Sequence, residues 1–259
     1  MGRLSGKVAV ITGASTGLGP VMGALFVREG AVVLLAARRE ELVLEAAAAA
    51  GEGAIGMRAD VTREGDVAAL IDRALHEYGR VDVMVNNAAA PGTDLWVWDQ
   101  TLENWNATLA IDVTAAMLCT REVLRRGMLD RGSGVIINVS SGAAFMALPR
   151  KSHYVTAKAA LVAFTQTVAG EVGPKGIRCN CLVPGAIETQ LWRSWVERTA
   201  AENNVDYETR RSEVLAATAL RDISKPEDVA NLALFLASDE SRTITGQAIL
   251  CDAGQYMLG

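Results

Sequence analysis

Short apolar runs alternate with stretches of helical periodicity along the whole chain. The runs at 7–12, 31–36, 54–59, 81–86, 135–139, 176–183 and 247–251 are short, and several are nearly unbroken Val, Ile and Leu, the mark of strands buried on both faces. Between them, 17–29, 40–50, 64–78, 102–127, 153–172 and 226–238 place apolar residues three and four apart, as amphipathic helices do. Strict β–α alternation requires right-handed crossovers. It therefore predicts an α/β fold: one doubly wound domain over 1–259, with a parallel sheet of about seven strands and helices on both faces. Ligands of such sheets bind outside the carboxyl ends of the strands, so the residues just after each strand carry the functional expectation. The polar, helix-prone segment 188–220 interrupts the alternation at that end and reads as a substrate lid or, alternatively, as a packed surface helix pair. Trp192 and Trp195 share one of its helical faces.

Composition narrows the class. Half of the residues are hydrophobic and the net charge is −5, with no basic stripe. Nucleic acid is thereby disfavoured as a partner, because phosphate neutralisation needs clustered Lys and Arg. No apolar run is long enough to span a bilayer, and the start of the chain lacks the apolar core of a signal peptide, so a cytoplasmic protein is expected. Four cysteines without a C-x-x-C pair and two histidines without ligand spacing give no metal site. Cys179 and Cys181 read as small core residues on one strand face.

The first predicted strand runs into Thr12-Gly13-Ala14-Ser15-Thr16-Gly17-Leu18-Gly19 and then a helix. Glycines permit a tight turn and close backbone approach to a pyrophosphate, whose charge meets the N–H groups of the helix start. The spacing Thr-Gly-x-x-x-Gly-x-Gly resembles that of the short-chain dehydrogenase/reductase family. So do Asp60-Val61 after the third strand, Asn86-Asn87-Ala88-Ala89 after the fourth, Ser140-Ser141 after the fifth, Tyr154-x-x-x-Lys158, and Pro184-Gly185 with Thr189 after the sixth. The resemblance implies cofactor contacts from Gly13, Ser15, Thr16, Gly17, Leu18, Gly19, Arg38, Asp60, Val61, Asn87, Ala88, Pro184, Gly185, Ile187 and Thr189, together with Tyr154 and Lys158.

The chemistry suits these residue types. Hydride transfer to a carbonyl leaves an alkoxide that must be protonated as it forms, and a phenol can supply the proton. A free phenol titrates near 10, so a neighbouring cation is needed at neutral pH. Lys158 stands one helical turn beyond Tyr154 and supplies it. Ser141, thirteen residues before Tyr154, is placed to hydrogen-bond the oxyanion. Ser140 points the opposite way. The expected activity is an NAD(P)(H)-dependent oxidoreductase acting on a small, moderately apolar carbonyl compound or secondary alcohol. The alternatives are a catalytically weak nucleotide-binding regulator, or dehydration or epimerisation on the same scaffold. Trp192 and Trp96 join Ser141 and Tyr154 as candidate substrate contacts, although Trp96 and Trp98 equally suit the core or an interface. His153 either touches substrate or is a satisfied helix-start histidine.

Two positions depart from the family pattern. Asp112 stands where the family carries an Asn whose bound water relays protons to the Lys, and Asp252-Ala253-Gly254 stands where Asp-Gly-Gly is usual. Cofactor choice turns on the end of the second strand, where an NAD enzyme places a carboxylate on the ribose 2′-OH. Ala37 occupies that position, followed by Arg38 and Arg39, so NADP(H) is expected over NAD(H). The helices at 102–127 and 153–172 are apolar on more than one side, which predicts a second covered face and, with the family resemblance, a homotetramer.

Overall fold

The computed structural model describes residues 2–257; the ends of the expected 1–259 domain lie outside the described residues. Seven parallel strands form one sheet in the order β3-β2-β1-β4-β5-β6-β7. They are β1 (Val8–Thr12), β2 (Val32–Ala37), β3 (Ala54–Arg58), β4 (Val83–Asn86), β5 (Gly134–Val139), β6 (Ile177–Pro184) and β7 (Ala248–Cys251). Each lies within one or two residues of its sequence expectation.

The unbroken apolar runs serve two cores at once. In β1, Ala9 and Ile11 enter one cluster while Val10 enters the other. In β2, Val33 and Leu35 alternate with Leu34 in the same way, and in β5 Val135 and Ile137 alternate with Ile136. On the first face these residues meet α1 (Leu18–Arg28), α2 (Glu40–Ala50) and α10 (Pro226–Ala237), through Met22, Phe26, Val43 and Leu234. On the second they meet α3 (Glu64–Tyr78), α5 (Ala115–Val123) and α7 (Ser152–Val172), through Leu70, Ile71, Leu118 and Val168. A strand with only one covered face would show polar alternation instead.

The helix expected at 102–127 differs in detail. It comprises α4 (Leu102–Leu109), a π turn over Ala110–Thr114, α5, a second π turn over Leu124–Met128, and α6 (Leu129–Arg131). The first π turn carries Asp112, whose Oδ1 accepts a hydrogen bond from the Ala90 N–H at 2.9 Å. π turns concentrate at functional sites.

The chain order reverses direction at β1, which lies between β2 and β4. This switch point opens a crevice at the strands' carboxyl ends. Over its β6 side stand α8 (Gln190–Glu202) and α9 (Tyr207–Ala216), whose flanking segments are tied to each other, outside the sheet, by the parallel bridge of Ile187 with Ser224. This pair has its own small core of Trp192, Val196 and Ile223, backed by Trp195, Tyr207 and Val214.

Candidate active site

A cleft of about 1650 Å³ runs along the carboxyl ends of the strands. All the cofactor positions expected from the sequence except Gly19 line it, as do Ser141, Tyr154, Lys158 and Trp192.

At the β1 end the turn is shaped by close contacts. A Cβ on Gly13 would fall 2.6 Å from the Ala88 Cα, and one on Gly19 would fall 2.7 Å from the Ala14 Cα, so both positions require glycine. Gly17, at φ +69°, begins α1 with no side-chain cap, which leaves the first N–H groups of the helix free of side-chain acceptors. A pyrophosphate fits that arrangement. Asn87 locks the turn to β4: its Nδ2 donates to the carbonyls of Thr12 (2.9 Å) and Gly13 (3.1 Å), and its own N–H and that of Ala88 donate to Thr12 Oγ1. Asp60 accepts hydrogen bonds from the Thr62 N–H and hydroxyl through Oδ1. Burial raises its carboxyl, but these two bonds, with Arg38 and Arg63 nearby, outweigh that and hold it below the usual range.

Near the middle of the cleft, α7 is pinned to β5. The Ser140 hydroxyl donates to the Lys158 carbonyl at 2.8 Å. Asn86 Nδ2 donates to Asn138 Oδ1 at 2.8 Å, and Asn138 Nδ2 donates to Thr165 Oγ1 at 2.9 Å, all in the buried interior. These bonds fix the helix that carries Tyr154 and Lys158. Lys158 is 2% exposed, donates to the Val139 carbonyl at 3.2 Å, and sits 3.3 Å from Asp112 Oδ2. Lys158 and Asp112 thus form a buried ion pair. Burial pushes the Asp112 carboxyl up; the charge of Lys158, the Ala90 N–H and His153 pull it down but do not cancel the burial. The Lys158 ammonium lies 5.6 Å from the Tyr154 ring centroid. Ser141 Oγ accepts the Ala143 N–H at 3.2 Å, which leaves the hydroxyl proton available to the cleft.

A smaller cavity of about 460 Å³ lies at the opposite ends of the strands, by Lys7, Arg80 and Arg178. Three of its cations already have partners: Lys7 pairs with Asp239, Arg80 with Asp82, and Arg178 donates to the Leu236 and Ser238 carbonyls at the end of α10.

Residues 13–255 match the model of a family described as enoyl-(acyl carrier protein) reductase. Over 256 residues the chain is 37% identical to momilactone A synthase of Oryza sativa subsp. japonica, covering 97% of this chain and 90% of that protein. It is 35% identical over 258 residues to 2-(R)-hydroxypropyl-CoM dehydrogenase of Xanthobacter autotrophicus, covering 96% and 98%. The chain belongs to the short-chain dehydrogenase/reductase family. A crystal structure of NAD+-bound xylitol dehydrogenase has the same fold, with a TM-score of 0.91 at 27% identity over 97% of this chain and 99% of that one. This short-chain dehydrogenase/reductase is an oxidoreductase of the alcohol/carbonyl couple that uses a nicotinamide cofactor.

The structure does not bring Trp96 to the cleft of the enzyme. Trp96 and Trp98 stack on each other at 5.1 Å on the surface, 45% and 74% exposed. They leave the sheet at the end of β4 in a loop that turns outward, which no periodicity in the sequence marks. His153 is a satisfied core residue: Nε2 donates to the Pro91 carbonyl and Nδ1 accepts from Gln100, both at 3.0 Å. Ala89 lies outside the left-handed backbone region, so it needs no glycine. All four cysteines are free, and burial pushes the thiols of Cys119 and Cys181 up to about 12 and about 11, consistent with packing rather than redox roles.

Several residues that shape the site escaped sequence reasoning. Arg39, rather than Arg38, lies over the glycine turn, donating to Ser15 Oγ at 3.0 Å and Thr16 Oγ1 at 2.9 Å. The Arg38-Arg39 pair was its signal, but which member folds back depends on the turn into α2. The Asn138–Thr165 tether had no local signal, because its partners stand 27 positions apart.

Proposed function

We propose that the enzyme interconverts a small, moderately apolar ketone and its secondary alcohol, with NADP(H) preferred over NAD(H) and Tyr154 as the acid–base. The observation that carries this reading is the convergence of Tyr154, Lys158 and Ser141 on one wall of a cleft whose other end is a glycine turn. When bound there, the nicotinamide supplies or accepts the hydride. Ser141 donates its hydroxyl proton as a hydrogen bond to the substrate oxygen and orients the reacting carbon. Tyr154 gives its phenolic proton to the forming alkoxide, or takes it in the oxidative direction. The buried Lys158 ammonium stabilises the phenolate left behind, and Asp112 balances that charge while holding the π turn. The α8–α9 pair acts as a lid that keeps water from the reacting oxygen. Its small core and the buried, unpartnered Nε1–H of Trp192 favour an element that opens at low cost.

The cofactor preference rests on Ala37 at the end of β2, where no carboxylate faces the ribose, and on the guanidinium groups of Arg38 and Arg39 beside it. A homotetramer is supported by the helix faces turned from the sheet. Ile111, Leu118, Ala157 and Leu161 are buried, whereas Trp105, Leu109, Val113, Val155 and Val162 stay half-exposed. Four free cysteines suit a reducing, cytoplasmic setting. Among the described residues, no helix is long and apolar enough to cross a membrane and no group of metal ligands occurs.

The test is stoichiometric change in nicotinamide absorbance with a ketone panel, comparing kcat/KM for the two cofactors. NADPH should win by at least tenfold, and a preference for NADH would reject that part. Tyr154→Phe should lower kcat by several orders of magnitude with cofactor affinity nearly unchanged. Retention of about a tenth of the activity, a cost near 1.4 kcal/mol, would remove Tyr154 from the acid–base role. Sedimentation at micromolar concentration should give four chains' mass, and a monomer would refute the tetramer.

A further inference from the structure

The cleft carries its charges in three places. Beside the glycine turn stand Arg38, Arg39 and Asp60; in the middle, Lys158 faces Asp112; and beyond Tyr154 stand Arg150, Lys151, Arg198 and Asp94. The last group is unbalanced. Asp94 is the one carboxylate lining this part of the cleft, and its two oxygens are taken by Lys151 Nζ at 2.6 Å and Arg198 at 3.8 Å. Arg150 reaches only the Asp94 carbonyl, at 3.2 Å, with no carboxylate in ion-pair range. Arg198 also pairs with Glu202 at 3.4 Å, so three cations against two carboxylates leave a surplus of one positive charge, that of Arg150, at the mouth of this part of the cleft.

The surplus is held in place. Arg150 has φ +68°, a conformation side chains rarely adopt, and its carbonyl accepts the Leu95 N–H at 2.9 Å. Lys151 immediately precedes α7, so Lys151, Tyr154 and Lys158 follow one another at i, i+3 and i+7 on one face. Arg198 comes from α8, on the opposite wall. The cleft is also lined by apolar side chains, among them Met146, Leu148, Trp192 and Val214.

We infer that the substrate carries an anionic head group (carboxylate, sulfonate or phosphate) on an apolar body, the head seated among Arg150, Lys151 and Arg198. The inference rests on reading this cleft as that of an alcohol/carbonyl oxidoreductase. Lys151 stands three residues, roughly 4.5 Å along the axis, before Tyr154. The head group is therefore separated from the reacting carbon by a short chain of methylenes rather than being adjacent to it. Exposed ion pairs are individually weak and screened by salt, so the expected preference is moderate and salt-dependent.

Binding of non-reacting probes decides the matter without turnover. Calorimetry on the holoenzyme should give octanoate a Kd at least tenfold below that of 1-octanol at low ionic strength, with the margin shrinking as salt is added. Octanesulfonate and octyl phosphate, measured beside octanoate, rank the head groups. The double variant Arg150→Gln/Arg198→Gln should abolish the margin. Asp94→Asn, which removes the carboxylate shared by Lys151 and Arg198, should widen it, an effect that a merely structural Asp94 would not produce. Equal Kd values for octanoate and 1-octanol overturn the inference, as does a margin unchanged in both variants. If the double variant does not fold, the sign of the Asp94→Asn change decides alone. Turnover is scored separately with 2-octanone and 7-oxooctanoate: failure with both strikes the proposed ketone substrate and leaves the binding result standing.

Discussion

The two ends of the cleft are built by different means. At the β1 end the walls are backbone: Gly13 lies against the Ala88 Cα, Asn87 ties the turn to β4, and the uncapped start of α1 faces inward. At the α8 end the walls are side chains of two short helices with a three-residue buried core, joined to the opposite wall through Arg198 and Asp94. Backbone walls tolerate almost no change of residue, because a single Cβ collides with atoms that cannot rotate away. Side-chain walls can be repacked without disturbing the sheet. A common cofactor and a variable substrate are served by that division of labour.

The sharpest way to break this contrast is to alter one residue from each wall. Gly13→Ala puts a methyl 2.6 Å from backbone and forces an L side chain into φ +65°. Overpacking and left-handed strain together should cost about 2–5 kcal/mol, with a visibly lower Tm and cofactor affinity reduced more than tenfold. Trp192→Ala should instead raise the substrate KM by about tenfold or more while leaving cofactor affinity and the main thermal transition nearly unchanged, because its core is separate from the sheet's. Equal loss of cofactor binding in both variants would show that the two ends are one cooperative unit.

The same contrast explains what could be read from the sequence. The strands and the cofactor turn were legible because their constraints are local: period-2 burial, β–α alternation, and glycines at positions a Cβ would fill. Tyr154 and Lys158 were legible because one helix carries both. Trp96 was left open between a substrate contact and the core or an interface because an aromatic after β4 points inward or outward according to the path of a loop. Asp94, Lys151 and Arg198 meet only because α7 and α8 face each other across the cleft, 57 and 104 positions from Asp94 along the chain. Asp112 was found as a departure from a pattern, but its π turn was not, since the sequence there reads as an ordinary amphipathic helix.

Asp112 offers a prediction of intermediate size. Its carboxyl is raised by burial, so its ionisation opposes folding; that cost is absent at pH values below the ordinary carboxylate range and appears as pH climbs through the folded value. Asp112→Asn removes the ionisation cost but strips the buried Lys158 of its counter-charge. Asn can still accept the Ala90 N–H, so the variant should stay active. With the ammonium no longer partly neutralised, the phenolate is better stabilised, and the rising limb of the oxidation pH–rate profile should move to lower pH. Asp112→Ala, which loses the Ala90 acceptor as well, should lower kcat/KM at least tenfold. A profile for the Asn variant that overlays the parent would reduce Asp112 to a backbone support.

The smallest expected effect lies beside Gly185, at the turn after β7. Ala253 adopts φ +55°, a region where an L side chain crowds its own backbone. The turn is imposed from outside: Asp252 accepts the N–H groups of Gly254 (2.9 Å) and Tyr256 (2.8 Å), and the Ala253 carbonyl accepts the Leu220 N–H at 3.0 Å. A Cβ on Gly185 would meet the Asp252 Cβ at 2.5 Å, so the turn also buttresses the start of the segment leading into α8. Left-handed strain costs an alanine about 1–2 kcal/mol, and a glycine gives back about 0.4–1 kcal/mol through the greater freedom of its unfolded chain. Ala253→Gly should therefore stabilise the protein by about 0.5–1 kcal/mol, a rise of about 2 °C in Tm for a chain of this size. Since the hydrogen bonds that set the turn are backbone and Asp252 bonds, kcat/KM should not change. A lower Tm in the glycine variant would mean that the surrounding bonds, and not the residue at 253, have already relieved the strain.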